Sequence, residues 1–301
     1  MQTTENLRYV SEYLPTAVRQ ALNRLPEDIS RNLQEIRLRA DRPVCLTTGG
    51  QDRMLSASGT VTQEPKAALH TPPEMLLQCF QAVVSYSVHS HEQDVAEGFV
   101  TLRGGCRVGV CGTAVRTGRE IRSIKRIGGL NFRIAGEQIG TAETAFRQTG
   151  HTGGILVAGS PGSGKTTFLR DYCRLLGNSS RTALIDERGE IAAVYHGVPQ
   201  HDIGVMTDVL DGYPRAAGIL TALRVLNPVQ ILCDELLTAE DSAAVLEAVG
   251  CGVQITASAH AGSFEELHRR EILAPLLKAN VFRYCVMLVG VGQVQSVRRL
   301  P

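Results

Sequence analysis

The sequence predicts an α/β protein: a doubly wound sheet domain, preceded by a smaller α+β domain. Three observations predict it. Residues 155–158 (ILVA) form a short apolar run fit for a buried strand, followed by a glycine-rich turn and by residues 167–176 (TFLRDYCRLL), which have the spacing of an amphipathic helix. From there to residue 278, apolar runs of strand length alternate with helical segments, the pattern of a sheet wound on both faces. Before residue 136, short alternating runs separated by Gly and Pro dominate instead. Residues 136–153 break both patterns, so the expected domains are 1–136 and 137–301.

Taken in order, Leu7, Val10, Leu14, Val18 and Leu22 recur at near-helical spacing up to Leu25-Pro26, predicting one or two helices. Residues 35–39 (EIRLR) alternate strictly, and after Asp41-Arg42-Pro43 a second strand is expected over 44–48, ending at Gly49-Gly50. Residues 51–70 are polar and weakly periodic, a loop or ragged hairpin. Pro72-Pro73 then opens a helix through Met75, Leu76, Cys79, Phe80 and Val84. Residues 99–115 make two alternating runs around Gly104-Gly105, and 130–135 (LNFRIA) a further strand. In the second domain, strands are expected at 182–185, 229–233 and 253–257, helices at 214–226, 239–249 and 263–278, and a closing hairpin over 282–297.

Composition narrows the function classes. The 301 residues are 43% hydrophobic, enough for real cores, and 31 Lys plus Arg stand against 30 Asp plus Glu. That balance gives no global reason to invoke nucleic acid or an anionic membrane, although Arg116, Arg119, Arg122, Lys125 and Arg126 crowd one short span. The start, MQTTENLRYV, lacks the basic and apolar regions of a signal peptide, and no apolar run approaches the ~20 residues that span a bilayer. A cytosolic protein is expected. Eight cysteines without a C-x-x-C pair support neither a disulfide framework nor a zinc site, and His89 and His91 lack a third ligand pattern.

The chemistry centres on residues 154–167 (GILVAGSPGSGKTT). Gly159, Gly164, Lys165 and Thr166 fill the frame G-x-x-x-x-G-K-[ST], a complete P-loop. The cradle runs Gly159, Ser160, Pro161, Gly162, Ser163, Gly164, Lys165, Thr166 and Thr167. Its glycines let backbone N–H groups turn toward phosphate oxygens at the positive end of the next helix. Lys165 is expected to reach the β- and γ-phosphates of ATP, and Thr166 to ligate Mg²⁺. Hydrolysis needs carboxylates besides, and two pairs are available. Asp234-Glu235 ends the apolar strand VQILC, with Asp234 expected near Mg²⁺ and Glu235 near the attacking water; Asp186-Glu187, with Glu190, ends the strand after the P-loop helix. His260, after the strand 253–257, is placed at the same carboxyl edge to sense the γ-phosphate.

The order of P-loop, acidic box at 185–187, Leu223-Arg224 with Pro228, Asp-Glu strand end and His box at 256–260 resembles the secretion ATPases of type II and type IV machines. Within that superfamily, QEIRLRADRPV, GFVTLRGGCRVGVCGTAV, LIDERGEI and TDVLDGYPRAAGILTALR resemble the stage III sporulation AA family, from about residue 34 to the end. The resemblance implies a RecA-like P-loop ATPase and a homo-hexameric ring. It also implies a place in the mother-cell cytoplasm, peripheral at the base of a channel complex whose membrane proteins are its partners; from the balanced charge, no DNA is expected among them. Arg107 and Arg133 match arginines that approach the γ-phosphate from the N-terminal domain. Many secretion ATPases have Gly where Asp234 stands and Glu-Asp-Pro where 186–188 stand, so Glu235 and Glu187 both remain candidates for activating water. An ATPase acting on nucleic acid through the 116–126 cluster, and a nucleotide-gated scaffold, are the alternative readings.

Overall fold

The computed structural model describes residues 2–85, 92–118, 120–136, 138–150 and 153–300. His89, His91 and Arg119 lie outside them. The described residues fall into two compact units, Met1–Gly136 and Glu137–Pro301.

The first unit opens with helices α1 (Gln2–Ser11), α2 (Thr16–Leu22) and α3 (Glu27–Arg31), broken where Pro15 and Pro26 stand as N-caps. Strands β1 (Leu33–Arg39), β2 (Arg42–Pro43), β3 (Cys45–Thr48), β4 (Gln51–Leu55), β5 (Val61–Thr62) and β6 (His70–Thr71) follow, and then helices α4 (Pro73–Val83) and α5 (Glu92–Glu97). Strands β7 (Phe99–Thr101), β8 (Arg107–Thr117) and β9 (Glu120–Arg133) complete the unit. Seven of these strands form one antiparallel sheet in the order β5-β4-β3-β1-β9-β8-β7. The alternation in β1 sends Ile36 and Leu38 into a core shared with Val10, Val18, Leu76, Phe80, Val108 and Phe132, while Glu35 and Arg37 face away from it. The polar stretch 51–70 is the ragged hairpin of β4 and β5, joined only by Met54↔Thr62 and Leu55↔Val61.

The second unit begins with α6 (Glu143–Thr149), inside the stretch 136–153 that breaks both sequence patterns; a bond from the Ala142 N–H to the buried Asp171 carboxylate (2.8 Å) anchors its start. The doubly wound part comprises β10 (Gly154–Gly159), α7 (Lys165–Gly177), β11 (Thr182–Asp186), β12 (Thr207–Asp211), α8 (Arg215–Val225), β13 (Gln230–Glu235), α9 (Ala239–Gly250) and β14 (Gln254–His260). Helices α10 (Phe264–His268) and α11 (Ala274–Lys278) and strands β15 (Phe282–Gly290) and β16 (Gln293–Arg299) finish it. The sheet order is β12-β11-β13-β14-β10-β15-β16, parallel except for the last strand. Both faces of β10 are covered: Leu156 and Ala158 join one core and Ile155 and Val157 another. That is why its sequence is uniformly apolar rather than alternating.

Two expectations are corrected here. The single helix expected over 263–278 is two short helices, each with its own start, α10 capped by Ser263 accepting from the Glu266 N–H and α11 carrying Pro275 in its first turn. Strand β12 was not expected: it is a half-exposed edge strand whose acidic residues Asp208 and Asp211 hide the strand signal.

Candidate active site

Strand register decides what meets at the carboxyl edge. Gly159, the last residue of β10, lies opposite His260 of β14 on one side and Leu288 of β15 on the other. A side chain at 159 would collide with Ser163 Oγ and the Leu288 carbonyl oxygen, so only glycine fits. Gly164 caps α7 with φ +86, where a Cβ would also lie 2.7 Å from the Val291 Cα. The loop between them encloses the Ser163 hydroxyl, which is buried and has no hydrogen-bond partner among the described residues. A buried hydroxyl of this kind is completed by a ligand oxygen, so the cradle fits a phosphate.

Lys165 opens α7 and is buried. Its Nζ donates to the carbonyl oxygens of Gly159 (2.9 Å) and Ser160 (3.1 Å) and lies 2.9 Å from His260 Nδ1. An ammonium only donates, so Nδ1 accepts and the imidazole proton sits on Nε2, which is 2.8 Å from Glu235 Oε2. Lys165, His260 and Glu235 thus form one bonded chain across the ends of α7, β14 and β13. Burial pushes the Lys165 pKa down, and the carboxylates of Glu235 and Asp234 oppose that shift. Asp234 accepts from the buried Ser258 hydroxyl at 3.1 Å. Thr166, half-buried in the first turn of α7, and Asp234 are oxygen donors of the hard type that suits Mg²⁺.

The other acidic pair is used differently. Asp186 is buried and accepts from the backbone N–H groups of Glu190, Ile191 and Ala192 at 2.8–3.0 Å, so it holds the loop after β11. Glu187 is partly exposed and pairs with Arg215 at 2.9 Å. Arg215, buried in the first turn of α8, also reaches Asp241 at 3.1 Å. Asp241 in turn accepts from the N–H groups of Leu237 and Thr238 (3.0 Å each) and completes the capping box of α9. Glu187 is therefore tied, through Arg215 and Asp241, to the turn that follows Glu235.

Sequence reasoning missed Arg215, Asp241 and Ser258. A signal existed for Arg215: a cation in the first turn of a helix opposes the helix dipole and needs carboxylates to hold it. Arg107 and Arg133 stand in the first unit as direct cross-strand partners in β8 and β9. Glu35 lies 3.5 Å from Arg133 and offsets the repulsion of the two like charges, while the Arg107 guanidinium sits 4.7 Å from the Phe99 ring centre.

Comparison with known proteins gives this architecture a family. The fold resembles the pilus retraction motor PilT with bound ADP, with a TM-score of 0.59 at 17% identity over 90% of this chain and 79% of that one. It also resembles the ATPase DotB of Legionella pneumophila, with a TM-score of 0.57 at 16% identity over 91% of this chain and 77% of that one. At such identities the likeness is one of fold: a RecA-like P-loop domain after an N-terminal α+β domain. Stage III sporulation protein AA of Bacillus subtilis (strain 168) is 34% identical over 299 residues, which cover 96% of this chain and 94% of that protein. The family model described as sporulation stage III, protein AA, matches residues 4–300, and the chain belongs to that family.

Proposed function

We propose that the chain is a secretion-type motor ATPase that hydrolyses Mg-ATP and energises the channel complex between mother cell and forespore during endospore formation. The observation that carries this reading is the bonded chain Lys165–His260–Glu235 at the mouth of the P-loop. It supports a site in which a phosphate-binding cation, a relay and a carboxylate act on one reacting phosphate.

In this mechanism the backbone N–H groups of residues 162–167 bind the β- and γ-phosphates, and Lys165 leaves the Gly159 and Ser160 carbonyls to bridge them. Thr166 and Asp234 hold Mg²⁺, which supplies charge neutralisation when bound. Once Lys165 turns to phosphate, His260 Nδ1 is released while its Nε2 proton still holds Glu235. His260 thereby reports the γ-phosphate to the carboxylate that orients water. Glu235 is the better placed acid, because Glu187 is committed to Arg215. Arg107 and Arg133 approach the γ-phosphate of a neighbouring subunit in a hexamer, where such arginines accelerate turnover by about 10³ to 10⁵. The membrane partners are proteins of the sporulation channel, and the site of action is the cytoplasmic face of that complex in the mother cell.

The test is steady-state phosphate release against protein concentration, with mass followed by light scattering, for the native chain, Lys165→Ala and Glu235→Gln. Turnover that rises cooperatively with ring assembly and disappears in both variants is the expected result. Concentration-independent activity from a monomer overturns the shared-site mechanism.

A further inference from the structure

The strands β8 and β9 continue well past the sheet they belong to. β1 pairs with β9 only over residues 129–133, and β7 pairs with β8 only over 107–109. From there the two strands run on together to Thr117↔Glu120, so residues 111–118 and 120–127 form a two-stranded ribbon with both outer edges unpaired among the described residues. Nearly all of the ribbon is solvent-exposed.

Its composition is unlike that of the rest of the chain. Residues 111–128 contain five basic residues and one acidic residue, in a chain whose total charge is +1. The described cations Arg116, Arg122, Lys125 and Arg126 are exposed and, among the described residues, form no ion pair. Two large apolar side chains stand among them, Val115 (37% exposed) and Ile121 (48%). The register separates the faces: Ala114 and Ile124 share one, where Ile124 packs on the core at the base, while Val115, Ser123, Thr113 and Lys125 share the other.

Irregularities between Cys111 and Thr113 and between Val115 and Arg116 blunt the edge of β8, and single lysines or arginines commonly do the same. Edge protection does not call for five cations, nor for exposed Val and Ile between them. Exposed aliphatic residues interspersed with Arg and Lys, with Arg116 directly across from Ile121, suit an anionic bilayer surface, where the aliphatic groups enter the headgroup boundary and the cations meet lipid phosphates. Single-stranded nucleic acid is less well matched, because residues 111–128 contain no aromatic side chain on which a base could stack. We infer that the β8–β9 ribbon is a membrane-contact element that binds the anionic lipid surface directly. This goes beyond the ATPase reading and does not depend on it.

The experiment is co-sedimentation of the full chain, without nucleotide, with vesicles of phosphatidylcholine alone and with vesicles of equal parts phosphatidylcholine and phosphatidylglycerol. Each cation near such a surface strengthens partitioning about fivefold, from about 1 kcal/mol per residue. The expected result is salt-sensitive pelleting with the anionic vesicles only. Arg122→Glu with Lys125→Glu lowers partitioning at least twentyfold, Ile121→Ser lowers it a few-fold with less salt dependence, and the thermal melting curve of each variant overlays that of the native chain. Arg122→Gln with Lys125→Gln is the milder pair, should the reversals disturb folding. Equal pelleting of the native chain and the folded variants overturns the inference. So does a native chain that ignores anionic vesicles, and ribbon-dependent binding to polyglutamate or duplex DNA in their place assigns the ribbon to an acidic protein or to nucleic acid. A chain that hydrolyses ATP and does not pellet fails this inference alone.

Discussion

Two Asp-Glu pairs end neighbouring parallel strands of the second unit, β11 and β13, at the same edge of the sheet, and their surroundings give them opposite uses. Asp186 is buried under three backbone N–H groups and Glu187 is locked to Arg215. Asp234 keeps one hydroxyl partner, Ser258, and Glu235 reaches the P-loop through His260. Identical residue types at equivalent positions are thus separated by what donates to them. A carboxylate surrounded by backbone donors fixes a loop, and one whose partner is itself bonded to the P-loop lysine is coupled to the candidate phosphate cradle.

The sharpest test of that contrast is Glu235→Gln. Removing the carboxylate while keeping its shape is expected to lower turnover by about 10² to 10⁴ with the melting temperature unchanged, as phosphate release and calorimetry read directly. Asp186→Asn should do the reverse: the amide cannot accept three N–H groups as a carboxylate does, and stability falls by about 3 kcal/mol in urea titration, with turnover per folded molecule little affected. If Asp186→Asn abolishes turnover in a fully folded protein, the division of labour between the pairs is wrong. A smaller effect is expected from Thr238→Ala, which removes one half of the α9 capping box beside Asp241 and costs about 1 kcal/mol. If it also slows turnover, the Arg215–Asp241 link positions Glu235 as well as holding Glu187.

The mildest prediction concerns pH. Lys165 has its folded pKa below the ordinary 10.5, so in the window between the two values the folded chain binds fewer protons than the unfolded one. Stability of the nucleotide-free protein therefore rises with pH across that window, while ATP affinity falls as the ammonium is lost. Lys165→Met should remove both trends. Denaturant melts and nucleotide titrations over the alkaline range check this, and an unaltered pH dependence in the variant assigns it to other groups.

The parts of this site that could be read from sequence are those in which chemistry and spacing are local. The P-loop fixes four glycine, lysine and threonine positions within eight residues, and Asp234-Glu235 ends an unmistakable buried strand. His260 could be placed because its strand ends at the same edge. What could not be read depends on pairings far apart in the chain. Arg215 is defined by Glu187 and Asp241, Ser258 by Asp234, and the different fates of the two acidic pairs by donors that appear only once the loops have closed. The same holds for the fold. Buried β10 is evident, whereas edge strand β12 is half-exposed and acidic and gains its identity from β11 alone. The 116–126 cluster reads as a run of charges, and its continuation of β8 and β9 as a ribbon is a matter of register.

Strand β10, which delivers the P-loop, has β14 and β15 as its two neighbours in the sheet, and both are encoded far downstream, starting at Gln254 and Phe282. During synthesis, at about 5–20 residues per second, the nucleotide cradle thus leaves the ribosome many seconds before either flank exists. Gly159 cannot lie between His260 and Leu288 until both of those residues have been made. Both flanks of the cradle therefore close late and together, and a nascent chain that stops short of Leu288 carries an unflanked glycine loop in place of a finished cradle.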